Sequence, residues 1–251
     1  MPSEPLLTFA ASMRALRAAI VWAAIVLLTV GFGIPAIVAA FVPPRGDWFL
    51  RFARGWARSL LRVSGITVEV RHRERLPRGR SVVVAANHES FCDIVVLLAC
   101  LPFQVRFLAK RSIFRVPVLG WSIAAAGFVP VDRGDRTRGA TALDAALKRL
   151  RRGRSVVIFP EETRTRTGEL LPFKKGAALL ALRSGLPLLP LGLAGTRRIL
   201  PPGSLVMSPG RAVVCVGETI EPGTMHRKDL TERLRGEVDK LRGEARESCE
   251  L

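Results

Sequence analysis

Charged and uncharged positions divide the chain sharply near its N-terminus. Residues 18–44 carry no charged side chain, a run of 27, and uncharged, mostly apolar runs of 18 or more mark membrane insertion. Gly31, Gly33 and Pro35 fall in its middle, where a helix is expected to bend or break. Arg14 and Arg17 precede the run, and Arg45, Arg51, Arg54 and Arg58 follow it. Positive flanks stay on the cytoplasmic side, so the pattern favours a re-entrant pair of short helices over a single span. A cleaved signal peptide competes, because Val38, Ala39 and Ala40 supply small residues after the run; its length and the absence of a short basic cap speak against it.

Residues 47–63 alternate differently. Arg51, Arg54, Arg58 and Arg62 recur at steps of three and four, and Trp48, Phe49, Phe52, Ala53, Trp56 and Leu60 fill the opposite side. Beside so long an apolar run this predicts an interfacial helix lying on anionic lipid. The competing reading is a helix packed on its own core with a solvated arginine face.

Beyond Ser64 the period changes again. Residues 66–70, 81–86, 128–132, 155–159, 186–191 and 212–216 are short β-branched or apolar runs bounded by Gly, Pro or polar residues, which predicts strands. Leu143, Ala146, Leu147 and Leu150 recur at helical spacing, 174–183 reads as a helix stopped by Gly185, and 229–246 reads as a charged C-terminal helix. Such alternation predicts an α/β fold: a single mainly parallel β-sheet flanked by helices, with an N-terminal membrane-embedded helical segment. The expected division is 1–63 for the membrane-associated segment and 64–251 for the α/β domain.

Charge narrows the partners. The 251 residues hold 39 Lys plus Arg against 21 Asp plus Glu, a formal charge of +18. All but six of the basic residues are Arg, which favours planar, bidentate recognition of phosphate or carboxylate. The partner is therefore anionic: nucleic acid, acidic lipid headgroups or a phosphorylated substrate. Aromatic residues make up only 6%, with no Tyr, and no nucleic-acid-binding motif is visible, so lipid is preferred over nucleic acid. Cys92, Cys100, Cys215 and Cys249 show no CxxC and no metal-ligand spacing, which points to a reducing compartment and to small buried residues.

The strand at 81–86 runs into Asn87-His88-Glu89-Ser90-Phe91-Cys92-Asp93 and then an apolar helical pattern. A His at a strand's end and an Asp five positions later, at the start of a helix, face each other across the turn. The carboxylate accepts one imidazole N–H and leaves the other nitrogen to take a proton. Asp93 also suits the N-terminus of the helix in its own right. After the strand at 155–159, Arg164, Lys174 and Lys175 cluster where α/β sheets place their ligands, a combination suited to a phosphate monoester.

Four blocks, in order, resemble the glycerolipid acyltransferases, in particular the 1-acyl-glycerol-3-phosphate acyltransferases of the bacterial membrane type. Asn87-His88-(x4)-Asp93 resembles their NHx4D block. Ala109-Lys110 with Pro117, Gly120 and Trp121 is similar to the second, followed by the basic position at Arg133. Residues 159–177, FPEETRTRTGELLPFKKGA, are similar to the FPEGTR block and its continuation. Residues 186–191 leading into Gly195-Thr196-Arg197 resemble the fourth. The likeness spans about 82–202. It departs at Glu162, where the family has glycine, and this carboxylate is expected to point away from the ligand.

The resemblance implies transfer of a fatty acyl group from acyl-CoA or acyl-carrier-protein to the sn-2 hydroxyl of lysophosphatidic acid, giving phosphatidic acid. His88 is then the base that deprotonates the acceptor hydroxyl, Asp93 orients it, and no acyl-enzyme on Ser90 or Cys92 is needed. The resemblance places Lys110, Arg133, Glu161, Thr163 and Arg164 at the acceptor's glycerol phosphate, and implies no cofactor and no metal. Expected partners are an anionic phospholipid leaflet, lysophosphatidic acid and the acyl donor, with no nucleic acid, at the cytoplasmic face of a cell inner membrane. Another lysophospholipid or a lyso-aminolipid as acceptor, or a non-catalytic basic membrane-associated protein, are the alternatives.

Overall fold

A computed structural model describes residues 4–42, 48–132, 136–204 and 206–250. Among them, two helices lead into an alternating βα chain: α1 (Glu4–Ala39), α2 (Phe49–Val63), β1 (Ile66–Arg71), β2 (Val83–Ala86), α3 (Cys92–Cys100), β3 (Val105–Lys110) and α4 (Leu119–Ala125). Then follow β4 (Val129–Val131), α5 (Arg136–Leu150), β5 (Ser155–Ile158), α6 (Gly176–Ser184), β6 (Leu188–Ala194), α7 (Thr196–Ile199), β7 (Gly210–Val216) and α8 (Arg227–Glu250). The described strands form one seven-stranded sheet in the order β1-β7-β6-β2-β5-β3-β4. Every neighbouring pair is parallel except β6 with β7. The mainly parallel α/β fold is the one the alternating pattern predicts.

The pleat sorts the core into two layers. Val84 and Ala86 of β2 pack in the cluster that holds α1, α2 and α3, while Val83 and Ala85 pack with α5, α6 and α8. Successive strand residues face opposite sides, and with helices on both sides the central strands are apolar throughout, as parallel strands require. The segment 105–110 escaped the strand pattern because Arg106 and Lys110 break its apolar run, yet it pairs with β5 and β4 as β3. Arg106 is fully buried there, its Nη1 donating to the Val105 carbonyl at 2.8 Å and to Gln104 Oε1 at 3.1 Å.

The N-terminal run is one continuous helix, not two short ones. Gly33 marks a close helix contact rather than a break, while Gly31 faces open space. A Cβ on Gly33 would lie 2.6 Å from Val118 Cγ1, beside α4, and the Phe32 ring occupies the space a Cβ on Gly55 of α2 would need. Small residues at such crossings let helices pack closely, and this packing supports α1 through Pro35. Arg17 meets Ser64, Thr29 meets Trp56 and Phe32 meets Gly55, so α1 and α2 form an antiparallel hairpin.

The apolar side of α2 packs inward, while Arg51, Arg58 and Arg62 stay exposed. Phe49, Leu50, Ala53, Ala57, Leu60 and Leu61 of α2 are buried in the protein's own core. Arg54 donates to the carbonyls of Leu101 and Phe103 (3.1 and 2.8 Å), and Arg58 to that of Ala99 (3.4 Å). These groups lie at the C-terminal end of α3, where carbonyls lack helical partners and the dipole favours a cation. Arg17 does the same for Ser64 at the end of α2 (2.8 Å).

Candidate active site

β2 and β5 lie side by side and parallel, with Val83 opposite Val156 and Ala85 opposite Ile158. The chain therefore leaves both strands at the same edge of the sheet, and the 87–93 and 159–175 segments meet there. Asn87 extends the β2–β6 ladder through its side chain: Oδ1 accepts the Leu193 N–H at 2.7 Å, and Nδ2 donates to the Leu193 carbonyl at 3.0 Å. This fixes the point at which the chain turns into His88.

His88 is 3% exposed and lies parallel to the Phe159 ring, with centroids 4.1 Å apart. Its Nδ1 is 2.7 Å from Asp93 Oδ2. Asp93 stands in the first turn of α3, and the same oxygen accepts the N–H groups of Glu89 and Ser90 at 2.8 and 2.9 Å. Three donors, the two backbone N–H groups and the imidazole Nδ1, thus converge on one Asp93 oxygen. An ionised carboxylate can only accept, so Nδ1 carries the imidazole proton and Nε2 presents a lone pair.

The neighbouring nucleophiles are occupied. Ser90 Oγ donates to the Leu200 carbonyl at 2.7 Å and accepts the Cys92 N–H at 3.1 Å. Burial, with the Asp93 charge adding to it, pushes the Cys92 thiol up to about 12, far from the thiolate that attack requires.

The second segment brings a basic side chain to the same turn. The Arg164 guanidinium lies 3.8 Å above the Phe91 ring, at the start of α3, so it flanks the His88–Asp93 turn. Thr163 is exposed next to it, and Lys110 is exposed at the C-terminal end of β3. Arg133 lies outside the described residues. Glu161 is buried. Its Oε1 accepts the His88 N–H at 2.6 Å and its Oε2 the Leu171 N–H at 2.8 Å, which uses both oxygens to join the two segments. Burial pushes the Glu161 carboxyl up to about 7, against the pull of those two N–H groups.

Glu162 has φ +59° and is solvent-exposed. The turn thus demands a left-handed backbone, which glycine adopts freely and other residues adopt under strain. Sequence reading missed Glu89, Arg242 and Arg246. All three meet beside His88, but the two arginines sit in a charged helix more than 150 residues away, with nothing local to single them out.

The description "Acyltransferase" fits residues 67–194, from β1 to the last residue of β6. The chain belongs to the acyltransferase family. A chloroplastic 1-acyl-sn-glycerol-3-phosphate acyltransferase of Arabidopsis thaliana is 35% identical over 181 residues, 72% of this chain and 49% of that protein. The 1-acyl-sn-glycerol-3-phosphate acyltransferase of Bacillus subtilis is 29% identical over 69% of this chain and 84% of its own. The crystal structure of the 1-acyl-sn-glycerophosphate acyltransferase of Thermotoga maritima superimposes with a TM-score of 0.82 at 25% identity, covering 93% of this chain and 96% of that one. The chain spans about half, or less, of the length of several of the curated relatives it matches. Within this acyltransferase both site segments lie inside the matched region, whereas α1, α2 and α8 lie outside it.

Proposed function

We propose that this acyltransferase moves a fatty acyl group from an acyl thioester to the sn-2 hydroxyl of 1-acyl-glycerol-3-phosphate, giving phosphatidic acid. The 2.7 Å contact between His88 Nδ1 and Asp93 carries the reading, because it leaves Nε2 as a base beside the Arg164 guanidinium. His88 Nε2 takes the hydroxyl proton as the oxygen attacks the thioester carbonyl, and Asp93 stabilises the resulting imidazolium. Collapse of the tetrahedral intermediate breaks the carbon–sulfur bond, and the imidazolium returns the proton to the departing thiolate. Arg164 holds the acceptor phosphate, with Lys110, Thr163 and Arg133 as further contacts, while Glu161 positions the two segments without touching substrate.

The same reading assigns 1–63 to membrane attachment and 64–251 to chemistry, at the cytoplasmic face of a cell inner membrane. The apolar stretch Ala15–Ala39 is long enough to cross a bilayer, and its outward positions include Leu27, 72% exposed. A small apolar cavity of about 40 Å³, bounded by Phe32, Phe52, Trp56, Leu98 and Ile123, lies between α1, α2, α3 and α4; it has room for about one water-sized group, not for an acyl chain. The test is phosphatidic acid formation by the detergent-solubilised protein from 1-acyl-glycerol-3-phosphate with acyl-CoA or acyl-carrier-protein. Product from wild type and not from His88→Ala is expected; no product with either donor would overturn the assigned reaction.

A further inference from the structure

We propose that Arg242, on the C-terminal helix, is a positioning residue that locks the segment bearing His88 against the segment bearing Arg164. A Cβ built on Gly192 of β6 would lie 2.3 Å from the Arg242 backbone nitrogen, so α8 is seated backbone-to-backbone on the sheet. From that fixed origin the guanidinium of Arg242, a residue 5% exposed, reaches three acceptors. Nε approaches Glu89 Oε1 at 3.3 Å, Nη1 approaches Asp239 at 2.9 Å, and Nη2 donates to the Gly168 carbonyl. Arg246, one turn further on, donates through Nη2 to Gly168 as well and to Glu89 at 3.4 Å.

Two of these acceptors, Glu89 and Gly168, belong to the two site segments, and Asp239 lies on α8 itself. Glu89 follows His88 directly and is 4% exposed, and Gly168 lies four residues beyond Arg164. A buried carboxylate without a cation is expensive, so Glu89 is held where Arg242 and Arg246 put it. The planar fork of arginine bridges acceptors on two segments at once, which the single ammonium of lysine does not. Arg242 touches none of the reacting atoms. It complements Glu161, which joins the same segments through the amides of His88 and Leu171. Thr165 adds a third link, its N–H donating to the His88 carbonyl at 3.0 Å.

The test compares amide hydrogen exchange in full-length, detergent-solubilised wild type and Arg242→Met. The linking amides of His88, Thr165 and Leu171 should exchange faster, on the order of tenfold or more, while Val84 and Val157 in the central strands stay protected. Equal acceleration at all five sites, or none at the linking amides, would overturn the proposal. Should Arg242→Met fail to fold, Arg246→Met, whose side chain is 41% exposed, should give the same pattern at smaller amplitude; unchanged linking amides there would be equally fatal.

Turnover supplies a second readout and rests on the reaction proposed above. Arg242→Met should lower kcat on the order of 10- to 100-fold with acceptor KM little changed. Adding Glu89→Gln should restore part of kcat by removing the unpaired charge; loss confined to KM would contradict positioning. A wild type that makes no phosphatidic acid would sink the assigned reaction and leave the exchange result to decide on Arg242.

Discussion

The Glu161 carboxylate receives the backbone N–H of His88 at 2.6 Å, across 73 positions of sequence. His88 is therefore anchored twice, at its ring by Asp93 and at its backbone by Glu161. The third block of the family, which the sequence offers as a phosphate-binding stretch, is also a brace for the first.

Glu161 makes stability depend on pH. Its folded value of about 7 lies above the ordinary 4.5, so the folded protein binds more protons than the unfolded one between those values. The contribution is fully present below about pH 4.5 and is lost as pH rises through 7. Thermal unfolding of Glu161→Gln across pH 4–8 should show a flatter profile than wild type over that window. A wild type whose midpoint climbs relative to the variant from pH 5 to 7 would reverse this sign.

His88→Ala should reduce acyl transfer on the order of 10²–10⁴-fold or more. Asp93→Asn keeps the side chain's shape and loses its charge, so it should lower kcat steeply while the acceptor still binds. Mass spectrometry of the protein during turnover should find no acyl group on Ser90 or Cys92.

Arg164→Lys keeps the charge but loses both the bidentate fork and the flat contact with Phe91. Acceptor KM should rise by about tenfold, with a smaller change in kcat. An unchanged KM would make Arg164 a structural residue.

Glu162→Gly relieves a left-handed backbone that costs a non-glycine residue about 1–2 kcal/mol, offset by roughly 0.4–1 kcal/mol from the freer unfolded chain. The unfolding midpoint should rise slightly and acceptor KM should stay put. A steep fall in KM would mean that the carboxylate faces the phosphate after all.

Arg54→Met should destabilise the protein by about 1–3 kcal/mol, because the Leu101 and Phe103 carbonyls lose a charged donor. A vesicle-binding assay of the same variant separates this role from lipid contact: partition onto anionic vesicles should change far less than the midpoint. The reverse outcome would return Arg54 to the membrane.

The periods of the chain determined the element types: apolar alternation and β-branched runs gave the strands around His88, and Gly185 ends α6 in the left-handed conformation expected of it. The His88–Asp93 pair was legible because both members sit within one turn, and a five-residue offset from strand to helix fixes their meeting locally. Tertiary structure decided what local pattern cannot encode. It turned Arg17, Arg54 and Arg58 into caps for helix ends, since a basic stripe looks the same whether lipid or carbonyls face it. It made 105–110 a strand around the buried Arg106, carried α1 unbroken through Pro35, and joined Glu161 to the backbone N–H of His88. It also brought Arg242 to Glu89 across 153 positions. A side chain's role follows from the groups that satisfy its charge and hydrogen bonds, and for these residues those groups come from elements distant in the chain.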